Sequence, residues 1–196
     1  MPKLNRPKLI INLRGTHGSG KSTIVKHLIE LYNGVTTTAS LNPESRKPKP
    51  EGHQMETPYG LLTAVGPYHT ACGGCDGIQP YARIWPLVEK YAALGHVIFE
   101  GALVSSSYGE IGRSSEKFGR QFVFAILDTP VDVCLARIVA RRKERGVDKP
   151  FNEDNTKNKF KNILRSLETM QANGRRVVHL NYLDPIPQIL ELFQKG

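Results

Sequence analysis

Short apolar runs alternate with stretches whose apolar residues recur every three to four positions, and this alternation continues along most of the chain. Lys8-Leu9-Ile10-Ile11-Asn12-Leu13 predicts a buried strand, and Thr23-Ile24-Val25-Lys26-His27-Leu28-Ile29 opens an amphipathic helix. Further strands are expected at Leu61–Val65, His96–Glu100, Gln121–Leu127 and Arg176–Leu180. Helices are expected from Ile78 to Leu94, closed by Gly95, then over 130–145, over 153–172, and after Asp184-Pro185. Thr129-Pro130-Val131-Asp132 reads as a helix start, with a capping hydroxyl, a proline at the first helical position and an acid at the third. Cys134, Leu135, Ile138 and Val139 of that helix are expected to face the sheet. Strands alternating with helices predict an α/β fold, a parallel sheet of about five strands covered by helices on both faces. Residues 33–58, with Arg46-Lys47-Pro48-Lys49-Pro50 at their centre, read as an exposed loop or insertion too rich in proline for a helix. A ligand then belongs at the carboxyl ends of the strands.

The first strand and helix are joined by Gly15-Thr16-His17-Gly18-Ser19-Gly20-Lys21-Ser22, a complete GxxxxGK[ST] phosphate loop. Glycines let successive backbone N–H groups turn toward phosphate oxygens, and the helix N-terminus adds partial positive charge. Residues Gly15 to Thr23 are therefore expected to bind ATP, with Lys21 on the β- and γ-phosphates and the Ser22 hydroxyl on Mg²⁺. The loop near Asn181-Tyr182-Leu183 is a place for the nucleotide base, and it carries no motif that separates ATP from GTP.

Three other segments carry chemistry. Glu100 closes an apolar strand before Gly101, where an acid approaches the metal directly or through water. Arg137, Arg141 and Arg145 recur every four residues and so share a helix face. An Arg-rich lid over about 137–160 would stabilise a transferring phosphoryl group and exclude water. The third segment, Gly66-Pro67-Tyr68-His69-Thr70-Ala71-Cys72-Gly73-Gly74-Cys75-Asp76-Gly77, suggests a tight loop where backbone closely approaches a substrate. Asp76 there is either a base for an acceptor hydroxyl or a helix cap for Gln79 onward. His69, Cys72 and Cys75, with His53 as a conceivable fourth ligand, have a spacing open to zinc, although packed thiols are the default reading. Tyr68, Tyr81 and Trp85 could stack on an exposed base or pack in the core, and the helical spacing of Tyr81 and Trp85 favours the core for Trp85.

At 196 residues the chain fits one domain, spanning 1–196. No apolar run is long enough to span a bilayer, and the odd cysteine count suggests no disulfide framework, so the cytoplasm is the expected compartment. Net charge is +9 and uneven: residues 1–50 hold nine Lys/Arg against two acids, and residues 136–176 hold twelve against five. Residues 51–135 reverse the balance, with five basic and nine acidic residues. Such a surplus suits a polyanionic partner in addition to a triphosphate.

The phosphate loop, the Gly-x-Tyr…Gly-Gly-Cys-Asp segment, Phe99-Glu100-Gly101 and Leu127-Asp128-Thr129-Pro130 before an Arg-rich helix occur in that order. Together they resemble the small phosphate-loop kinases of bacteriophages, in particular the 5-hydroxymethyluracil DNA kinase group, over residues 8–183. The resemblance implies transfer of the ATP γ-phosphate to the hydroxymethyl oxygen of 5-hydroxymethyluracil in phage DNA, a step in thymine hypermodification within the host cell cytoplasm. Carried over by position, Lys21 and Ser22 hold phosphate and Mg²⁺, Asp76 is the candidate base, Glu100 contacts metal or acceptor, and Arg137 and Arg141 are lid arginines. A kinase for a nucleoside monophosphate or another small acceptor is the alternative. A nucleotide-dependent binding protein is a third reading, with no glutamine-based water-positioning motif to support it.

Overall fold

The computed structural model describes residues 8–37, 39–69, 73–106 and 109–196. The elements are β1 (Ile10–Arg14), α1 (Lys21–Leu31), β2 (Val35–Thr36), β3 (Gly52–Thr57), β4 (Gly60–Val65), α2 (Ile84–Leu94) and β5 (His96–Glu100). They continue with α3 (Ala102–Ser106), α4 (Gly109–Phe118), β6 (Phe122–Leu127), α5 (Val131–Glu144), α6 (Glu153–Ala172), β7 (Arg176–Leu180) and α7 (Pro185–Lys195). The strands form one seven-stranded sheet in the order β2-β3-β4-β5-β1-β6-β7. From β4 to β7 every neighbouring pair is parallel, whereas β2 and β3 join one edge antiparallel.

Alternation along the central strands divides the core. Leu9, Ile11 and Leu13, with Ile98, Val123, Ala125 and Leu127, pack against Val25 and Leu28 of α1 and Ile189 and Phe193 of α7. Ile10, Val97, Phe99, Phe122, Phe124 and Ile126 point the other way, onto α2, α4 and α6. Each Val, Leu, Ile or Phe among these contributes roughly 1.5–3 kcal/mol by leaving water. Helices thus cover both faces, and five strands are parallel, as the pattern predicts. Among the described residues no helix is long and apolar enough to cross a membrane.

Several expectations need correction. The segment 33–58 is not wholly loop, because Gly52–Thr57 pairs with β4 from Gly52 opposite Val65 to Thr57 opposite Gly60. Buried His53 and Met55 alternate there with the more exposed Gln54 and Glu56, a two-residue period that the proline- and lysine-rich composition obscures. Helix α2 begins at Ile84 rather than Ile78; Gly74–Gly77 and Tyr81–Arg83 form short 3₁₀ turns before it. Pro80 supplies no amide hydrogen and biases Gln79 away from helical backbone.

Helices α3 and α4 are additional to the predicted elements, because serines and glycines interrupt their apolar pattern. Pro130 is extended and precedes the first helical residue of α5, and the Thr129 hydroxyl, rather than capping that helix, donates to Ser19 O at 2.9 Å. Cys134 and Ile138 face inward, but Val139, a further 100° round the helix, is half exposed. Asp184 and Pro185 do start α7, without a capping bond from the Asp184 side chain.

Phe99 is fully buried, with its ring edge-to-face against Trp85 at 5.8 Å and Phe122 at 6.0 Å. Phe99→Ala should cost about 3–5 kcal/mol, read as a lower urea midpoint at unchanged slope.

Candidate active site

Strand β1 lies between β5 and β6, so the loop leaving its carboxyl end enters a crevice flanked by the ends of both. The loop curls because Gly18 and Gly20 adopt φ of 78° and 104°. At Gly18 a Cβ would sit 2.4 Å from Cys134 O, so the loop rests directly on the backbone of α5. The Thr129–Ser19 bond fixes the same junction from β6. Lys21 is buried, its ammonium donating to Gly15 O at 2.8 Å and Thr16 O at 3.0 Å. Burial holds its pKa below the usual lysine value, against the opposing pull of Glu100 and Asp76.

Glu100 is only 2% exposed at the end of β5, and its Oε1 accepts from the Ser22 hydroxyl at 2.9 Å. Burial raises its pKa, while Lys21 and the Ser22 bond pull it down. Behind it the Gly-Gly-Cys-Asp segment closes in. A Cβ on Gly74, whose φ is 65°, would lie 2.4 Å from Glu100 Oε1, and one on Gly66 would lie 2.4 Å from Gly74 O. The glycines expected to admit a substrate thus admit the segment to Glu100 and to its own backbone.

Asp76 stands on the same segment. Both its carboxylate oxygens accept from the Ala102 N–H, at 2.9 and 2.8 Å, so it binds the start of α3 and not the residues from Gln79. At the far end of α3, Arg14 donates to Val104 O at 3.1 Å, to Asn12 Oδ1 at 3.0 Å and to Ser166 of α6 at 3.0 Å. Its guanidinium lies 5.7 Å from the centre of the Phe124 ring, and burial lowers its pKa to about 10.

Residues 17–23, Asp76, Glu100, Arg137 and Arg141 line one cavity of about 590 Å³. Gly15 and Thr16 instead line a smaller cavity of about 170 Å³ between the loop, the end of β6 and α6. Arg137 leans over Tyr182 at 5.7 Å and reaches Ser19 O at 3.3 Å. Arg145 falls beyond α5 and does not join Arg137 and Arg141, and Arg142 turns away to Phe151. A buried cation, a hydroxyl beside a buried carboxylate, a second carboxylate and two arginines can together bind a polyphosphate and accept a proton next to it.

Of the aromatic candidates, Tyr68 and Trp85 are buried in the core, and Tyr81 packs against it. Cys72 lies outside the described residues. Cys75 is buried, its thiol pushed well above its usual pKa by burial. Among the described residues no cluster of three metal-ligating side chains occurs.

The chain is 35% identical, over 196 aligned residues, to the 5-hmdU DNA kinase of Pseudomonas phage PaMx11, covering 93% of this chain and 97% of that one. It belongs to the phage 5-hmdU DNA kinase family. The kinase of that name in Pseudomonas phage M6 is 31% identical over 180 residues, covering 88% of this chain and 90% of the relative. That of Delftia phage PhiW-14 is 28% identical over 176 residues, covering 81% and 62% respectively. No family model matches the chain.

In this member of the 5-hmdU DNA kinase family, sequence reasoning missed His27, Ala102, Pro185 and Ile186 on the cavity wall. His27 was detectable, lying one turn beyond Thr23 on the same face of α1. The rest depend on tertiary placement.

Because Glu100 titrates higher folded than unfolded, ionising it opposes folding. Its share of stability is intact below the unfolded value near 4.3 and declines as pH rises toward the raised folded value. Glu100→Gln, which mimics the protonated group, should melt together with the wild type at acidic pH and above it near neutrality. Calorimetry across that range tests this; parallel curves would contradict it.

Proposed function

We propose that the chain is a single-domain P-loop kinase over 1–196 that transfers the γ-phosphoryl group of ATP to the hydroxymethyl oxygen of 5-hydroxymethyluracil within DNA. The observation carrying this reading is the convergence of Lys21, Ser22, Glu100 and Asp76 on one cavity, in a chain aligned almost end to end with a 5-hmdU DNA kinase. Family membership makes the protein a phosphotransferase, and a kinase implies a nucleotide phosphate donor.

Residues 17–23 cradle the triphosphate through backbone N–H groups at the start of α1, Gly15 and Thr16 hold Lys21 through their carbonyls, and Lys21 neutralises charge on the β- and γ-phosphates. The Ser22 hydroxyl and Glu100 carboxylate, 2.9 Å apart, form an all-oxygen donor set that fits Mg²⁺. When bound, that ion would offset charge on the phosphate oxygens. Asp76, oriented by Ala102 N–H, takes the acceptor proton as the hydroxymethyl oxygen bonds to the γ-phosphorus and the bond to the β–γ bridging oxygen breaks. Arg137 and Arg141 face the equatorial oxygens from a lid spanning about 137–160. Tyr182, beneath Arg137, is suited to stack on the nucleotide base.

Incubation with γ-labelled ATP and Mg²⁺ should label duplex DNA containing 5-hydroxymethyluracil and leave matched thymine DNA and free nucleotides unlabelled. Label on a free nucleotide alone would instead establish a small-acceptor kinase. Lys21→Ala should lower kcat about 10²–10³-fold, the scale of removing one positioned electrostatic contact. Asp76→Asn should lower kcat about 10²–10⁴-fold with little change in ATP affinity; an unchanged kcat would leave Asp76 only as the anchor of α3.

A further inference from the structure

Residues 39–51 leave the sheet between β2 and β3 as a built loop. Leu41 N donates to Lys49 O at 2.7 Å, Lys49 N to Asn42 Oδ1 at 2.7 Å, and Glu51 N to Ala39 O at 3.2 Å, closing its neck. Ser45 N donates to Asn42 O at 3.0 Å and Lys47 N to Ser45 Oγ at 3.2 Å, ordering the tip. Pro43, Pro48 and Pro50 stiffen it further. Leu41 is buried in the same core as Cys75, Ile78 and Trp85, and Arg83 donates to Leu41 O at 2.6 Å. The loop is therefore fastened to the segment that carries Asp76.

What the loop presents is charge. Arg46 and Lys47 are exposed and Lys49 partly so, with Glu44 the sole carboxylate among residues 42–50. Among the described residues none of the three cations forms an ion pair, and Glu51 at the neck is taken by Lys90 at 2.6 Å and Tyr91 at 2.9 Å. Topology sets where this charge lies. Gly52 pairs with Val65, and β4 runs parallel to β5, so the loop emerges at the same carboxyl edge as Glu100. Three strand spacings of about 4.8 Å separate β3 from β1, roughly 14 Å, or about four base-pair steps of ~3.4 Å. None of these cations lines the cavity formed by residues 17–23.

Resting on the proposed function, we propose that Arg46, Lys47 and Lys49 form a backbone clamp that grips phosphates of the substrate DNA a few nucleotides from the base being modified. Phosphate contacts carry no sequence information, so the clamp holds modified and unmodified DNA alike and leaves selection of the base to the cavity.

The test combines Arg46→Ala, Lys47→Ala and Lys49→Ala in the full chain, with DNA affinity read by fluorescence anisotropy against salt on hydroxymethyluracil and thymine duplexes. The triple variant should bind both duplexes about tenfold or more weakly, its log–log salt slope smaller by about 2–3. KM for DNA should rise, while kcat at saturating DNA and ATP affinity stay unchanged. Arg46→Lys, which keeps all three charges, should retain binding. Unchanged affinity and slope in the Ala variant would overturn the clamp, even if the wild type phosphorylates the modified duplex. A wild type that binds DNA through these residues but does not phosphorylate it would overturn the proposed function and leave the clamp standing. A wild type that binds no DNA would overturn both.

Discussion

Keeping a carboxylate out of water at the end of β5 is the constraint around which this protein is arranged. A buried Glu100 needs compensation, and the Ser22 hydroxyl and the Lys21 ammonium supply it from the start of α1. The same need dictates the backbone behind it. Gly74 has no room for a side chain against the carboxyl, and Gly101 allows Asp76 to approach within reach of the Ala102 N–H. Two acids and one buried cation are thus held together by elements drawn from three parts of the chain.

Charge elsewhere follows a simple division. Acids concentrate in the middle of the sequence, which supplies Asp76 and Glu100, and cations gather in the segments before and after it. Folding sets Arg137 and Arg141 at the cavity beside the glycine-rich loop and carries the basic loop out on the opposite flank of β5. Arg14 stands apart from both groups: inside the core and turned from the cavity, it braces the far end of the short helix that Asp76 begins.

Much of this was legible in the residues because it is local. Apolar runs gave the five parallel strands, the loop between β1 and α1 announced itself by spacing, and Glu-Gly after an apolar run marked Glu100. What escaped depends on contacts distant in sequence. The alternation of His53 and Met55 lay beneath a composition that suggested loop. Asp76 binds a helix starting 26 residues later that no pattern announced. Thr129 resembled a cap but donates to Ser19, and the tight glycines at 66 and 74 serve packing against a buried acid, which composition alone cannot separate from approach to a ligand.

The central position of β1 also has a consequence in time. Ile10 pairs with Val97 on one side and Phe122 on the other, so the strand that launches the glycine-rich loop has neither sheet neighbour until about half of the chain exists. During synthesis the apolar strand β1 waits for these partners, and docking onto β5 and β6 closes long stretches of chain at once. The glycine-rich loop thus takes its final shape only with strands that follow it far along the chain.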